Sequence, residues 1–439
     1  MPIRMGAALL HDPSIPLPNI HGSAAASAGG GRRLVWFVGI SHATNHFVML
    51  IFPAVLLLVQ QEFSLGYARL GLLANVALLC YGMGALPAGM LADRLGGERL
   101  LAVWLLGGSL ACIGIGFSRG PVSLGVGLAL LGSFASLHHP AGSGVLVAHQ
   151  SLRGSNVGRA FGRVGVLGNL GLAASPVAAA AVGAAWGWRT AFLIGAIPGL
   201  LLSLAVWRYG LWSSSGFAGA SPRGEHRPAF WKGLTLPLVL LFTLETLMGF
   251  IFQGFSTFLP AHLAGRAGIE GLTAAQVARG GSLASLALLL GGTGHLLAGR
   301  LMATHRREAI FLLTTGLTAL CLLGMGSAGG APLVVFSTVF AFTHFAIGTM
   351  SNTFIAFHTP SHLGGTAFGV TFALSLGVGS LASSAMGVVG EHLGLSAVFL
   401  ALGMTAVAGA LVVVWFGSSV GAWSRQGAAA LPRGDPKGR

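Results

Sequence analysis

Twelve apolar stretches follow one another along the chain, and they restrict its fold more than any other feature. An α-helix of about 20 apolar residues is long enough to cross the hydrocarbon core of a membrane. Only 8% of the 439 residues are charged, against about 25% in a soluble domain. Because so few charges cannot cover a water-exposed surface, lipid has to cover much of it. The predicted spans are 34–58, 69–92, 99–118, 121–148, 161–184, 190–208, 235–260, 280–302, 309–328, 331–357, 365–389 and 394–416.

A polar segment between the sixth and seventh spans divides the twelve into two equal sets. The sequence therefore predicts an all-α membrane protein with six-helix bundles at 34–208 and 234–417, joined by a linker at 209–233. Residues 1–33 have no apolar core of their own and are predicted to be a disordered tail. Residues 418–439 are predicted to be a second tail.

The net charge of +14 follows the predicted loops. Of the 24 Lys and Arg residues, 19 fall on the side that carries both termini and the linker, and 5 on the other side. Basic residues concentrate in cytoplasmic loops. We therefore predict an inner-membrane protein whose termini and linker are cytoplasmic. Topology explains the positive charge, and no nucleic-acid partner is expected.

The two halves of the chain repeat at a spacing of about 207 residues. Residues 158–162 (GRAFG) recur at 365–369 (GTAFG), and Pro53 in the first span matches Pro260 in the seventh. Six spans separate the members of each pair, so both halves enter the membrane in the same sense. Parallel six-helix repeats are the arrangement of major facilitator proteins, and the chain resembles that family.

The connection between the second and third spans carries the same resemblance. Residues 89–96 (GMLADRLG) are similar to the family's loop signature, in which Gly, Asp, Arg and Gly precede basic residues. In the family, the Asp caps a neighbouring helix and pairs with an Arg, which holds the cytoplasmic side shut. Gly97 and Glu98 stand where basic residues are expected, so we expect a weaker latch here. The resemblance implies a cytoplasmic gate made of Gly89, Asp93, Arg94, Arg99 and Arg300.

A narrower resemblance concerns the first half of the chain. Residues 41–46 (SHATNH), 61–65 (QEFSL) and 139–140 (HP) are similar to stretches of the fosmidomycin-resistance group of efflux transporters. That group has an Asp where this chain has His46 and a Glu where it has Ala141. Because two membrane carboxylates are missing, the coupling chemistry of that group does not transfer unchanged.

Glu245, on the seventh span, is the one acidic residue well inside a predicted span. Ionisable residues at bilayer depth are costly and are functional candidates by default. A carboxyl group in an apolar medium keeps its proton more readily than one in water, so Glu245 is a candidate proton carrier. A hydrogen-bonded structural role, or a position near the interface, is the alternative. Gln253 shares its helix face.

Six histidines inside the spans, and two of the asparagines there, are candidates for a central cavity. His42 and His46 are spaced to share one helix face, and the first and fourth spans both line the cavity in this architecture. The histidines are open to four interpretations: proton relays, a site for an anionic or metal-chelating substrate, Cu or Zn ligands, or neutral hydrogen-bonded residues. We assign no metal ligand and no cofactor. The candidates are His42, Asn45, His46, His138, His139, His295, His344 and Asn352.

The sequence thus predicts a secondary active transporter that moves a small molecule by alternating access of two bundles. Efflux driven by inward proton flow is the favoured direction, and a monomer is expected. The alternatives are uptake of a metal ion or metal chelate through the histidine cavity, and a receptor or scaffold that has lost transport. An enzyme is not predicted, because no set of nucleophile and base and no phosphate-binding loop occurs.

Overall fold

The computed structural model describes residues 20–148, 155–209, 234–265, 273–302, 306–359 and 364–421. In these ranges all regular structure is helical. The helices are α1 (Ile20–Met49), α2 (Ile51–Phe63), α3 (Tyr67–Leu95), α4 (Gly97–Gly116), α5 (Pro121–Ala135), α6 (His138–Ala148), α7 (Ser155–Trp186), α8 (Trp188–Tyr209), α9 (Leu236–Gly265), α10 (Ala274–Gly291), α11 (Gly294–Leu301), α12 (Arg307–Ser327), α13 (Gly330–His358), α14 (Gly364–Phe372), α15 (Leu381–Leu393) and α16 (Leu395–Ser419), with a π-helical segment at Ala373–Val378.

Twelve helical stretches of the described residues are long and apolar enough to cross a membrane, as predicted. We number them span 1 (Gly31–Phe63), span 2 (Tyr67–Ala92), span 3 (Gly97–Gly116), span 4 (Pro121–Leu146), span 5 (Gly162–Trp186), span 6 (Trp188–Val206), span 7 (Leu236–Gly265), span 8 (Ala274–Leu301), span 9 (Arg307–Ser327), span 10 (Gly330–Ile355), span 11 (Gly369–Leu393) and span 12 (Leu395–Ser419).

The first helix is longer than the sequence predicts. It begins at Ile20, so part of segment 1–33, predicted to be a disordered tail, is helical. Adding residues to an existing helix avoids the cost of nucleating a new one, and residues 24–26 are alanines with the highest helix propensity. The linker at 209–233 lies outside the described residues except for Tyr209, the last residue of α8.

Exposed arginines distinguish the two ends of the molecule. We call the end where span 1 begins the basic side and the end where span 1 finishes the opposite side. Exposed arginines on the basic side are Arg32, Arg33, Arg99, Arg163, Arg208, Arg300 and Arg306, against Arg69, Arg119 and Arg279 on the opposite side. The basic side is therefore the one predicted to face the cytoplasm.

A salt bridge joins three spans of the N-terminal half on the opposite side. Arg189, at the start of span 6, donates from Nη1 and Nη2 to the two carboxylate oxygens of Glu62, both at 2.7 Å. Its Nε donates to the carbonyl oxygen of Ser118 at the end of span 3. Trp188 Nε1 also donates to Glu62, at 2.7 Å. The bidentate geometry fixes the ends of spans 1, 3 and 6 relative to one another.

Spans 2 and 11 form one contact between the two halves, from the opposite side to the middle of the molecule. A Cβ at Gly71 would overlap the backbone of Ser383, so the two helices touch through main-chain atoms. At the opposite side, Ala68 N donates to Glu391 Oε2 at 2.8 Å. This carboxylate therefore satisfies a free N–H group in the first turn of α3. The π-helical segment of span 11 continues the contact with span 2.

Spans 5 and 8 form the second contact between the halves. Val177 N, just after Pro176, donates to Ser285 Oγ at 2.8 Å. The backbone of span 5 at Pro176 also lies against Gly281, where no side chain would fit. Together with spans 2 and 11, this contact closes the molecule on its opposite side.

Most segments near the basic side pack mainly within their own halves. α6, the last part of span 4, makes its main contacts with α1, α3, α4 and α7, and α11, the last part of span 8, with α13. α1 has its main partners in the N-terminal half, whereas α2 also contacts α9 and α10. Among the described helices, the halves are thus joined mainly at the opposite side. Towards the basic side α14 still contacts α3, and the cleft expected between two such bundles would lie beside that contact.

Candidate functional site

Four histidine rings from spans 1 and 4 meet in the N-terminal half. The ring centroid of His42 lies 4.6 Å from that of His46, 5.2 Å from that of His138 and 5.1 Å from that of His139. The spacing of four residues puts the two rings of span 1 on one helix face, and span 4 crosses that face. We call His42, His46, His138 and His139 the histidine cluster.

Span 5 fixes the position of the His42 ring. His42 Nδ1 lies 3.0 Å from the carbonyl oxygen of Val164, which can only accept, so this nitrogen carries the proton. A Cβ at Gly168, one turn further along span 5, would overlap the imidazole ring. The series of small residues in span 5 thus makes room for a side chain of the cluster.

Polar neighbours hold His138 and the helix around it. Ser41 Oγ lies 3.1 Å from His138 Nδ1 and accepts a hydrogen bond from Trp104 Nε1 at 3.3 Å. Asn45 donates to the carbonyl oxygen of Ala135 at 3.0 Å. These bonds join spans 1, 3 and 4 and hold the helices that carry the cluster relative to one another.

The histidine cluster contains a buried nitrogen without a partner. Because Nδ1 of His42 carries the proton, its Nε2 is a lone-pair acceptor, and no described residue donates to it. One nitrogen each from His42, His138 and His139 lies within 4.8 Å of the other two. Buried polar atoms in proteins almost always have a partner, so this nitrogen is a candidate contact for a bound water or ligand.

His139 lies at the boundary between the two halves. Its ring stacks on Phe372 of span 11, with 5.8 Å between centroids and 13° between planes. Tyr81 lies on another side of it, at 5.9 Å, and donates its hydroxyl proton to Asn45 Oδ1 at 3.0 Å. The cluster is therefore adjacent to the cleft between the halves.

Glu245 lies on span 7, in the C-terminal half. Its side chain is buried, with 8% of the residue exposed. Ser351 on span 10 lies beside the carboxyl group. Neither Glu245 Oε1 nor Ser351 Oγ has a hydrogen-bond partner among the described residues. A buried carboxyl oxygen without a partner is costly in an apolar medium, so Glu245 stays a functional candidate.

His295 and His344 form a second aromatic group near spans 7, 8 and 10. The ring of His344 stacks on Phe252 at 4.8 Å, and that of His295 stacks on Phe345 at 5.1 Å. His295 Nδ1 is 2.8 Å from Thr349 Oγ1. The structure does not bring these two histidines into ring contact with the histidine cluster.

Two other candidates lie apart from both histidine groups. Gln253 is buried in span 7, two turns beyond Glu245. Asn352 is exposed on span 10. Neither makes a side-chain hydrogen bond to a histidine of either group among the described residues, and their assignment to the cavity stays a prediction.

The predicted gate lies on the basic side. Gly89 faces Pro140 of span 4, with 4.0 Å from its added Cβ to that ring. Arg99 and Arg300 are exposed. Asp93 and Arg94 fall in the last turn of α3, but their side chains lie outside the described ones. The latch therefore stays a prediction.

Sequence reasoning missed several neighbours of the histidine cluster. Tyr81, Trp104 and Phe372 lie far from it in sequence and read as ordinary apolar positions of their spans. Ser41 belongs to the segment 41–46 (SHATNH), which by itself indicates no contact with His138. A polar residue directly before a histidine on a membrane helix was the one local signal that could have indicated a supporting hydrogen bond.

Comparison with known proteins decides the family. The family model of the Major Facilitator Superfamily matches residues 35–384. The chain belongs to this superfamily. Members of this superfamily are membrane transporters rather than enzymes, so the chain is a multi-pass membrane protein of the secondary-transporter kind.

Two relatives illustrate the range of similarity within the superfamily. The "Multidrug resistance protein MdtG" of Erwinia billingiae is 31% identical over 137 residues, which are 31% of this chain and 33% of that protein. The match thus spans about a third of MdtG. The "Gallate transporter" of Pseudomonas putida is 25% identical over 395 residues, which are 81% of this chain and 85% of that protein.

Solved structures share the fold at low identity. The nucleoside transporter NupG has a TM-score of 0.71 at 14% identity, covering 87% of this chain and 99% of that one. A bacterial homologue of the human lysosomal transporter Spinster, in an inward-facing and occupied conformation, has a TM-score of 0.69 at 16% identity, covering 92% of this chain and 99% of that one. The prediction of two parallel six-helix bundles is confirmed.

Proposed function

We propose that this transporter exports small organic molecules in exchange for protons, from a cleft that opens alternately to the two sides of the cell's inner membrane. The observation that carries the proposal is Glu245, a buried carboxyl group in a membrane span whose Oε1 has no hydrogen-bond partner among the described residues. Such a group can hold a proton in a closed environment and release it when water reaches it.

The placement of the carboxyl group supports coupling. Glu245 lies on span 7 beside span 10, in the half that moves against the histidine cluster during alternating access. If the basic side faces the cytoplasm, the described conformation is open inwards, where an exported molecule would enter. A proton taken up outside would be released on this side, which is the direction of the cellular proton gradient.

Export is supported by sequence similarity. MdtG, a multidrug resistance protein, matches part of the chain. Residues 41–46 and 139–140, which resemble the fosmidomycin-resistance group, belong to the histidine cluster and its surroundings. The Pseudomonas putida relative transports gallate, and a small planar acid of this kind suits a cleft walled by aromatic and imidazole rings. A monomer holds both halves and suffices for this mechanism.

Proteoliposomes with an imposed pH gradient test the proposal. The movement of radiolabelled gallate and fosmidomycin is measured for the unaltered chain and for Glu245→Gln, in which the amide mimics the protonated acid. We expect Glu245→Gln to abolish gradient-driven movement and to retain counterflow exchange. Glu308→Gln is the matched control, because Glu308 is paired with Arg307 at the start of span 9. This substitution should leave both activities unchanged.

The histidines offer a competing proton route, since His46 stands where the fosmidomycin-resistance group has its Asp. His42→Gln and His46→Gln are therefore measured in the same assay. Full activity in Glu245→Gln with loss in either histidine variant would move the proton site to span 1. Full gradient-driven activity in all three variants would contradict proton coupling through any of these groups and would favour a uniporter.

A further inference from the structure

We propose that the histidine cluster binds a divalent transition-metal ion of the zinc type, with His42, His138 and His139 as its ligands. The inference deepens the proposed function, since the ion would lie in the wall of the proposed substrate cleft. It rests on the geometry of the three rings and on the free nitrogen of His42. Three histidines with an open fourth position are an established zinc geometry in proteins.

The three nitrogens already lie close to the required distance. They are within 4.8 Å of one another, whereas tetrahedral zinc with Zn–N bonds of 2.0–2.1 Å requires about 3.3 Å between ligand atoms. The remaining difference of at most about 1.5 Å is within reach of small ring rotations.

Hydrogen bonds determine which nitrogen of each ring is free to bind an ion. The bond from His42 Nδ1 to Val164 leaves Nε2 free as a ligand atom. In the tautomer with its proton on Nδ1, His138 donates to Ser41 Oγ and likewise presents Nε2. Metal-bound histidines almost always donate their second ring nitrogen to such a partner, which fixes the tautomer and the ring orientation.

The charge around the cluster determines what completes the site. The described neighbours Ser41, Tyr81, Trp104 and Phe372 are all neutral. Three neutral imidazoles would leave the ion with its full charge of about +2, which is costly to bury without an anion. The fourth position therefore favours an anionic ligand from the cleft, so the site would select substrates with a carboxylate, phosphonate or similar oxygen donor.

Isothermal titration of the purified full-length chain with ZnCl₂, after removal of any polyhistidine tag, tests the site. We expect one zinc ion per chain, and an affinity at least tenfold weaker in His138→Gln and in His139→Gln. Ser41→Ala should weaken binding by about tenfold, as loss of a supporting partner does. His46→Gln should have a smaller effect than the ligand variants. X-ray absorption of the zinc-loaded chain should show nitrogen and oxygen ligands at about 2.0–2.1 Å.

His392→Gln is the matched control, because His392 is exposed at the end of span 11 and should not affect binding. Apparent Tm values of all variants identify any that fail to fold, and Ser41→Ala leaves every proposed ligand in place. Unchanged zinc affinity in folded His138→Gln and His139→Gln would overturn the site. Binding is measured without a pH gradient, so absence of zinc binding with intact gradient-driven movement would remove the metal site alone, and the reverse result would remove proton coupling alone.

Discussion

Gly168 determines how closely span 5 approaches the His42 ring. The imidazole occupies the volume where any other residue would place its Cβ, and the bond to Val164 holds it there. A helix interior normally favours alanine over glycine by about 0.5–1 kcal/mol. The glycine here therefore makes room for the His42 ring, at the cost of the lower helix propensity of glycine.

Gly168→Ala should destabilise the protein by roughly 1–3 kcal/mol, because overpacking displaces the ring or the helix. Gly162→Ala, on the same helix, should have no effect or raise stability slightly, since nothing lies within 4 Å of its added Cβ. Apparent Tm values in detergent measure both. Equal Tm values for the two variants would show that His42 does not pack as described.

The histidine positions were only partly predictable. The spacing of His42 and His46 fixes a shared face, because 3.6 residues make one helical turn. The fold then brings spans 1 and 4 together. The supporting partners Tyr81 and Trp104 were not predictable, because contacts between distant spans depend on how the helices cross, which helical periodicity does not contain.

The contact between spans 2 and 11 helps to close the molecule on its opposite side. Their contact uses backbone atoms at Gly71 and Ser383, so the helices can separate without extracting large side chains. The bond from Ala68 N to Glu391 adds one charge-assisted interaction at its end. A carboxylate at a helix N-terminus also interacts favourably with the helix dipole. Weakening this contact should therefore change the ratio of the two conformations.

Glu391→Ala should shift the population towards opening on the opposite side. Loss of a helix cap costs about 1 kcal/mol, which is roughly a fivefold change in the ratio of states. Glu391→Gln keeps an acceptor oxygen, so its population shift should lie between that of the unaltered protein and that of Glu391→Ala. Spin labels at Arg69→Cys and His392→Cys, in a background without Cys80, Cys112 and Cys321, measure the separation of spans 2 and 11. Identical distance distributions in all three proteins would show that the bond from Ala68 to Glu391 does not stabilise the closed contact between spans 2 and 11.

The overall fold could be predicted almost completely from the sequence. Apolar length gave twelve spans, and the repeat gave two halves of like orientation, because both follow from the bilayer and from the order of the chain. The conformation could not be predicted. Small residues such as Gly71 and Gly281 allow helices to approach closely, but the sequence does not indicate in which conformation they do so. The closure on the opposite side is a property of the three-dimensional packing alone.

The orientation of the molecule gives a prediction of its own. A cysteine introduced at Ser215, which lies in the linker outside the described residues, should be protected from a membrane-impermeant reagent in intact cells and react after permeabilisation. The reason is the concentration of basic residues on that side. A cysteine at Ser64, in the connection after span 1, is the matched control and should react in intact cells. Reversal of the two patterns would invert the topology.

His139 is at once a member of the histidine cluster and the ring that stacks on Phe372 of the other half. Whatever binds its imidazole therefore changes a contact whose strength depends on whether the halves are together. Thermodynamic linkage makes this reciprocal: if an occupant favours one state by a given factor, that state favours the occupant by the same factor. An aromatic contact worth about 0.5–1.5 kcal/mol allows a coupling of roughly two- to tenfold between binding at His139 and the ratio of the two conformations.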